Sequence, residues 1–299
     1  MTLLLAKPLI QDPTMIFFVV LLIILFAPII MSKLRIPHII GMVLAGVLVG
    51  QFGLNILARG SSFEIFGQVG LYYIMFLAGL EMDMESVRKN SRHFLIFGFL
   101  TCFVPLGMTY VMAKTVLGYS DATSFLLGCI MASNTLVAYP IIGRYGLQRH
   151  PSVTLSVGAS MISLFIALVM IAALAGSYTE AQLPQLWFWP LFLLKLASYI
   201  GAMLWLIPHV ARYFLRRYSD AVMQFIFVLS VMFLNAALTD FIGLEGIFGA
   251  FFSGLILNRY IPHVSALMNR IEFIGNALFI PYFLIGVGML INVRALAQL

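Results

Sequence analysis

Ten stretches of mostly apolar residues follow one another along this chain: 15–32, 36–52, 65–82, 94–116, 122–142, 153–176, 187–211, 221–241, 243–258 and 271–292. A helix needs about 20 such residues to cross the hydrocarbon core of a bilayer, with roughly 17 to 25 the usual range. Lipid offers the backbone no hydrogen-bond partners, so a spanning segment must satisfy its own peptide groups, as a helix does. Only 9% of the 299 residues are charged and 62% are hydrophobic, against about 25% charged in a soluble domain. The chain therefore reads as an all-α polytopic membrane protein, a single transmembrane domain over 1–299. Spans two and nine are short, and the turn between eight and nine is the weakest boundary. Lys7 precedes an apolar run, but Asp12 and Pro13 intervene and no small-residue cleavage site follows. The first span is therefore expected to be retained, not removed as a signal peptide.

Charge then gives an orientation. If the N-terminus marks one side, the opposite side collects twelve basic residues: Lys33, Arg35, Arg88, Lys89, Arg92, Arg144, Arg149, Arg212, Arg216, Arg217, Arg259 and Arg270. The N-terminal side collects four, Lys7, Arg59, Lys114 and Arg294. Basic residues beside span ends mark the cytoplasmic face. The expectation is a multi-pass protein of the inner (plasma) membrane with its N-terminus outside. The net charge of +6 is thereby a topology signal and calls for no nucleic-acid partner. Cys102 and Cys129 both fall inside apolar spans and read as small core residues, not a disulfide or metal pair.

Span five is interrupted. Ala132, Ser133, Asn134 and Thr135 break its apolar run, and Pro140 follows. A polar cluster with a downstream proline points to a locally broken helix, which survives at membrane depth only where protein or a water-filled cavity satisfies the backbone. Such breaks mark ion sites in transporters. The alternative is a proline-kinked span whose Ser and Thr bond back onto their own helix.

An internal repeat is also legible. Span two carries Gly41-Met-Val-Leu-Ala-Gly46 and span nine Gly249-Ala-Phe-Phe-Ser-Gly254. Span three carries Phe76-Leu-Ala-Gly79-Leu-Glu-Met82 and span ten Phe283-Leu-Ile-Gly286-Val-Gly-Met289. The two matches occur in the same order at nearly the same spacing. Corresponding spans lie seven apart, an odd number, so they cross the membrane in opposite directions. That is an inverted-topology repeat, common among secondary transporters. It divides the chain into a first repeat of six helices (15–176), a linking helix (187–211) and a partial second repeat (221–299). A complete second repeat would also hold counterparts of spans four to six, including a partner for broken span five, and by this pairing the chain is expected to stop three helices short of its own symmetry.

The segments IPHIIGMVLAGVLVG, FLAGLEMD, ASNTLVAYPIIGRYG, GAFFSGLILNRYIPH and NRIEFIGNALFIPYFLIGVGML resemble those of the cation/proton antiporters, in the branch of bacterial sodium/proton exchangers and glutathione-gated potassium efflux systems. The resemblance implies an antiporter fold of about thirteen helices, a homodimer, and monovalent cation (sodium or potassium)/proton exchange without cofactor or enzymatic chemistry. Such proteins place an acidic residue in the helix after the first broken one. Here that position falls at Ser163-Leu164, and Leu164 stands where the carboxylate is expected. An exchanger needs a buried group that trades a cation for a proton, and a desolvated carboxylate does so. Ser133, Asn134, Thr135, Ser160 and Ser163 can supply neutral oxygens to a cation, but none releases a proton near neutral pH. The expectation is no exchange by the family mechanism. The alternative is a non-transporting antiporter-like scaffold or remnant.

Elsewhere, Asp240 and Glu245 flank the turn between spans eight and nine, as solvated end charges or an outer cation funnel. Lys195 lies inside span seven, where its long stem lets the ammonium snorkel toward the interface. The histidines lack metal-ligand spacing, and no resident metal is expected. Asn235 and Asn276 read as helix-packing amides.

Overall fold

The computed structural model describes residues 8–34, 36–82, 85, 89, 91–132, 142, 145–147, 150–179 and 185–292. Among these, the chain is helical in the order α1 Pro13–Lys33, α2 His38–Val49, α3 Ser61–Glu81, α4 Ser91–Thr115, α5 Asp121–Ala132, α6 Pro151–Thr179, α7 Gln185–Arg217, α8 Ala221–Ile242 and α9 Gly246–Leu257. The last helix, α10, runs Ala266–Leu290. Each of the ten expected spans thus has its helix. Among the described residues, seven helices are long and apolar enough to cross a membrane, and α2, α5 and α9 are shorter apolar helices of 12 residues each. Many large apolar side chains lie on the outward faces of the helices. Phe18, Leu25, Leu48, Phe103 and Trp205 are all exposed, a surface suited to lipid and not to water.

The chain divides into two compact units, residues up to 74 together with 269 onward, and residues 75–268. In the first unit, α2 crosses α10 at van der Waals contact between backbones. A Cβ added to Gly46 would lie 2.1 Å from the Ile285 carbonyl oxygen, and one added to Gly288 would lie 2.1 Å from that of Val43. Only glycine permits this approach. Phe17, Phe63 and Phe66 gather around Tyr282, with Phe63 and Tyr282 ring centres 4.7 Å apart. The Tyr73 hydroxyl donates to the Ile271 carbonyl at 2.9 Å. Near the N-terminus, Ile10 pairs with Leu57 in a single parallel β-bridge.

In the second unit, α9 crosses the end of α3 in the same manner. A Cβ on Gly254 would lie 2.2 Å from the Phe76 carbonyl oxygen, and one on Gly79 would lie 2.4 Å from that of Phe251. The sequence repeat pairs α2 with α9 and α3 with α10, so each unit holds one copy of the same crossing. The ends of the crossings correspond too. Gly50 abuts the Cα of Met289. Asn258, four residues past Gly254 as Gly50 is four past Gly46, donates through its side-chain amide to the Met82 carbonyl at 2.9 Å.

The rest of the second unit packs α4, α5 and α6 together, and α7 and α8 onto α9. Tyr199 of α7 donates its hydroxyl to the Asn235 side-chain oxygen at 3.1 Å, and the Asn235 amide donates to Val231. This matches the expected helix-packing role of Asn235. Both cysteines are buried. Gly243, with φ +96°, ends α8 in the left-handed conformation and turns the chain into α9.

Candidate functional site

The site expected around spans five and six is built from α4, α5 and α6. Small residues bring the three helices close. A Cβ on Gly98 of α4 would meet Ile162 of α6 at 2.8 Å, and one on Gly128 of α5 would meet the Leu106 carbonyl of α4 at 2.9 Å. On α6, Ser160, Ser163 and Leu164 are spaced i, i+3, i+4 and share one face. Ser160 is half-buried, while Ser163 and Leu164 are buried.

Ser163 organises the junction. Its hydroxyl donates at 2.8 Å to the carbonyl of Ala132, the last described residue of α5. It is also in hydrogen-bonding contact with the Cys102 thiol of α4. Cys102, Ala132 and Ala167 are fully buried in one apolar cluster with Leu106, Ile166 and Met170 packed against it. The hydroxyl gives its proton to a helix carbonyl, so that Ser163 can offer a cation only its oxygen lone pairs. Leu164 is 2% exposed, and no carboxylate stands at this junction among the described residues. The polar cluster Ser133, Asn134 and Thr135, Pro140, and with them the expected break in the helix, lie outside the described residues. The 12 residues of α5 rise about 18 Å at roughly 1.5 Å each, short of a hydrocarbon core of about 30 Å.

Asp240 and Glu245 are brought onto one turn. Asp240 lies in the last turn of α8, its backbone carbonyl accepting from the Gly243 N–H at 3.1 Å, and Glu245 is the N-cap of α9. Both side chains are open to solvent. Burial of its surroundings pushes the Glu245 carboxyl above the usual range, with a further push from the Asp240 charge. Lys195 is exposed.

A carboxylate that the sequence reading passed over is Glu272. It is half-buried near one end of α10 and lines a hollow with Asn269, Phe273, Asn276 and Ala277. The signal was present in the spacing Asn269-x-x-Glu272-x-x-x-Asn276, a polar i, i+3, i+7 stripe in an otherwise apolar span.

Long apolar helices, glycine-to-backbone crossings in each of the two units and a neutral polar junction inside the second unit mark a multi-pass membrane protein. Comparison with known proteins makes this specific. The chain belongs to the sodium/hydrogen exchanger family, whose transmembrane profile matches residues 20–298. It is 35% identical over 294 residues to the Na(+)/H(+) antiporter NhaS5 of Synechocystis, covering 96% of this chain and 41% of that protein. It is 29% identical over 290 residues to the probable Na(+)/H(+) antiporter 3 of Methanocaldococcus jannaschii, covering 95% of this chain and 73% of that one. Its fold matches the structure of the sodium proton antiporter MjNhaP1 from Methanocaldococcus jannaschii with a TM-score of 0.65 at 19% identity, over 96% of this chain and 73% of that chain. The chain thus spans under half the length of the Synechocystis relative. Both of these relatives bear the names of antiporters.

Proposed function

We propose that this chain is the membrane domain of a monovalent cation/proton antiporter, with sodium placed before potassium, working without cofactor. The observation that carries the reading is the match to the sodium/hydrogen exchanger family over residues 20–298, supported by the antiporter fold. The relatives named above are Na(+)/H(+) antiporters, which favours sodium. In our reading the domain lies in the inner membrane as a homodimer, N-terminus outside, with the basic loops inside. Its division is a six-helix first repeat (15–176), a linking helix (187–211) and a partial second repeat (221–299). Ser133, Asn134, Thr135, Ser160 and Ser163 are the neutral oxygens offered to the cation, with Asp240 and Glu245 as an outer funnel. The proton is carried away from position 164, because a leucine there has nothing to titrate.

The test is purified protein in liposomes with a trapped pH dye and an imposed gradient, with sodium, lithium and potassium added in turn. Cation-dependent pH change is expected. A silent protein with all three cations overturns the reading. One observation favours a second one: Leu164, which we align with the family's carboxylate position, is almost fully buried among other helices. A scaffold that keeps the fold without transport would give the silent outcome.

A further inference from the structure

The ends of α7 and α9, both in the second unit, converge on one positively charged hollow. It measures about 400 Å³ and is lined by Arg212 and Arg216 of α7 and by Arg259 and Tyr260 just past α9, with Ala211 and Leu215 completing its wall. The backbone that carries the three guanidinium groups is held in place. On α7, Met203, Ile207 and Ala211 are buried at i, i+4 and i+8, which seats one face of the helix. Arg212 and Arg216, themselves four residues apart and so neighbours on the helix surface, stay exposed beside it. Past α9, the Asn258 side-chain amide donates to the Leu80 and Met82 carbonyls at 2.5 and 2.9 Å. The Tyr260 N–H donates to the Leu257 carbonyl at 2.8 Å, and Ile261 is buried. Arg259 thus projects from a turn pinned on both sides.

Arginines at a helix end commonly serve the helix itself by taking its last carbonyls. Here Gln224 of α8 does that for α7, its amide donating to the Leu215 and Tyr218 carbonyls at 3.3 and 2.8 Å. The charges are not matched within the protein either. None of the three arginines forms an ion pair with a described carboxylate, and among the described residues no acid lines the hollow. Three like charges around one space repel one another, and an anion placed between them relieves the repulsion.

The hollow also has a depth in the membrane. The 33 residues of α7 rise about 50 Å at roughly 1.5 Å each, well beyond a hydrocarbon core of about 30 Å. Tyr213 and Tyr218 are exposed beside the arginines, and tyrosine and tryptophan gather where the bilayer meets water. Trp205, seven residues before Arg212 and on its face of the helix, is exposed as well. A helix end with arginines and exposed aromatic rings together belongs in the headgroup layer. The anion met there is the phosphate of a lipid, whose oxygens match the guanidinium fork two at a time. Basic hollows between spanning helices suit such headgroups.

We propose that Arg212, Arg216 and Arg259 hold the phosphate of an anionic phospholipid in the leaflet at which α7 and α9 end, its chains descending past Trp205. The site depends on the chain being a membrane protein and not on its transporting anything.

The test is thermal unfolding of the full chain, delipidated in one detergent, with phosphatidylglycerol titrated against phosphatidylcholine at constant total lipid. A ligand that binds only the folded state raises the midpoint. The expected result is a saturable rise with phosphatidylglycerol alone. Arg212→Gln, Arg216→Gln and Arg259→Gln should each raise the half-saturating lipid fraction by about tenfold, which is roughly what one charge-assisted hydrogen bond is worth in affinity. Arg217 ends the same helix but does not line the hollow, so Arg217→Gln removes an equal charge and should leave that fraction nearly unchanged. Arg216→Lys keeps the charge without the fork and should fall between wild type and Arg216→Gln. All four arginines are exposed, so these substitutions disturb no core. An equal response to both lipids overturns the site. So does a loss in Arg217→Gln as large as in the other three, which would reduce the effect to net charge. A rise with inorganic phosphate in lipid-free detergent, abolished by the three glutamine variants, overturns the lipid as the source and assigns the hollow to a soluble phosphate compound.

Discussion

Gly46→Ala tests the crossing on which the first unit is built. The new Cβ would lie 2.1 Å from the Ile285 carbonyl oxygen, 2.9 Å from the carbonyl carbon and 3.0 Å from the Gly288 Cα. These atoms are backbone and cannot swing aside. Ordinary contact begins near 3.4 Å, so α2 and α10 must part by on the order of 1 Å, a gap that forfeits roughly a quarter to a half of each contact's dispersion well. Overpacking of this kind costs about 1–3 kcal/mol. The substitution also gains about 1 kcal/mol of intrinsic helix propensity, which would mask part of the loss. Gly107→Ala in α4 removes that ambiguity. Nothing lies within 4 Å of a Cβ built there, so it takes the propensity gain without the clash. The difference between the two variants is then the clash alone, about 1–3 kcal/mol. At roughly 2–4 °C per kcal/mol for chains somewhat shorter than this one, the midpoints should separate by several degrees. Tryptophan-monitored thermal unfolding in one detergent measures it. Adding Gly288→Ala should cost less than its single effect, because one displacement of the helices relieves both clashes. Equal midpoints for Gly46→Ala and Gly107→Ala would refute the close crossing.

Ser163→Ala should destabilise the fold by about 1 kcal/mol, the net worth of one buried hydrogen bond, and speed hydrogen exchange at the end of α5, read by mass spectrometry. Unchanged exchange there would mean that the Ala132 carbonyl does not depend on this hydroxyl. Leu164→Asp places a carboxylate in an apolar pocket and should cost about 3 kcal/mol at the depth of a helix centre. The buried acid's raised pKa makes that loss grow as pH rises and fade in acid, so equal destabilisation at pH 5 and pH 9 contradicts the packing described. The Glu245 carboxyl is already raised by burial and by Asp240. In the folded state it holds its proton to higher pH than in the unfolded chain, so its contribution is lost as pH rises from the ordinary carboxylate range through the folded value. Glu245→Gln should flatten stability over that window, by a small amount because the side chain is solvent-screened. A steeper pH profile in the variant would reverse the sign argued here.

What the sequence carried well was whatever repeats or persists over many residues. The apolar runs gave the helices nearly to their ends, because length and hydropathy are all a span requires. The glycine pairs gave more than their own helices. Gly46 and Gly254 were matched as sequence, and each proves to press on a backbone carbonyl in its own unit. Leu164 and Ser163 were readable as residues, but their surroundings were not. Only packing shows that Ser163 donates to Ala132 and contacts Cys102, so that the junction is closed by a hydroxyl, a carbonyl and a thiol. The contact joins residues 31 apart in the chain, and no local pattern encodes it.

Glu272 was hidden by the same reasoning that found the span. A run of apolar residues from 271 to 292 averages away one acid near its end, and an amide within it reads as packing. Pro281 was equally visible, yet its effect is felt upstream. A proline in a helix removes a donor from the carbonyl four residues back and repels it, so the disturbed acceptors are Ala277 and, once the ladder slips to five, Asn276. The residue to inspect is therefore found by counting back from the proline, not by looking beside it. In α10 the ladder does widen into a π turn, Gly275–Phe279, and that count lands one helical turn from the carboxylate at position 272.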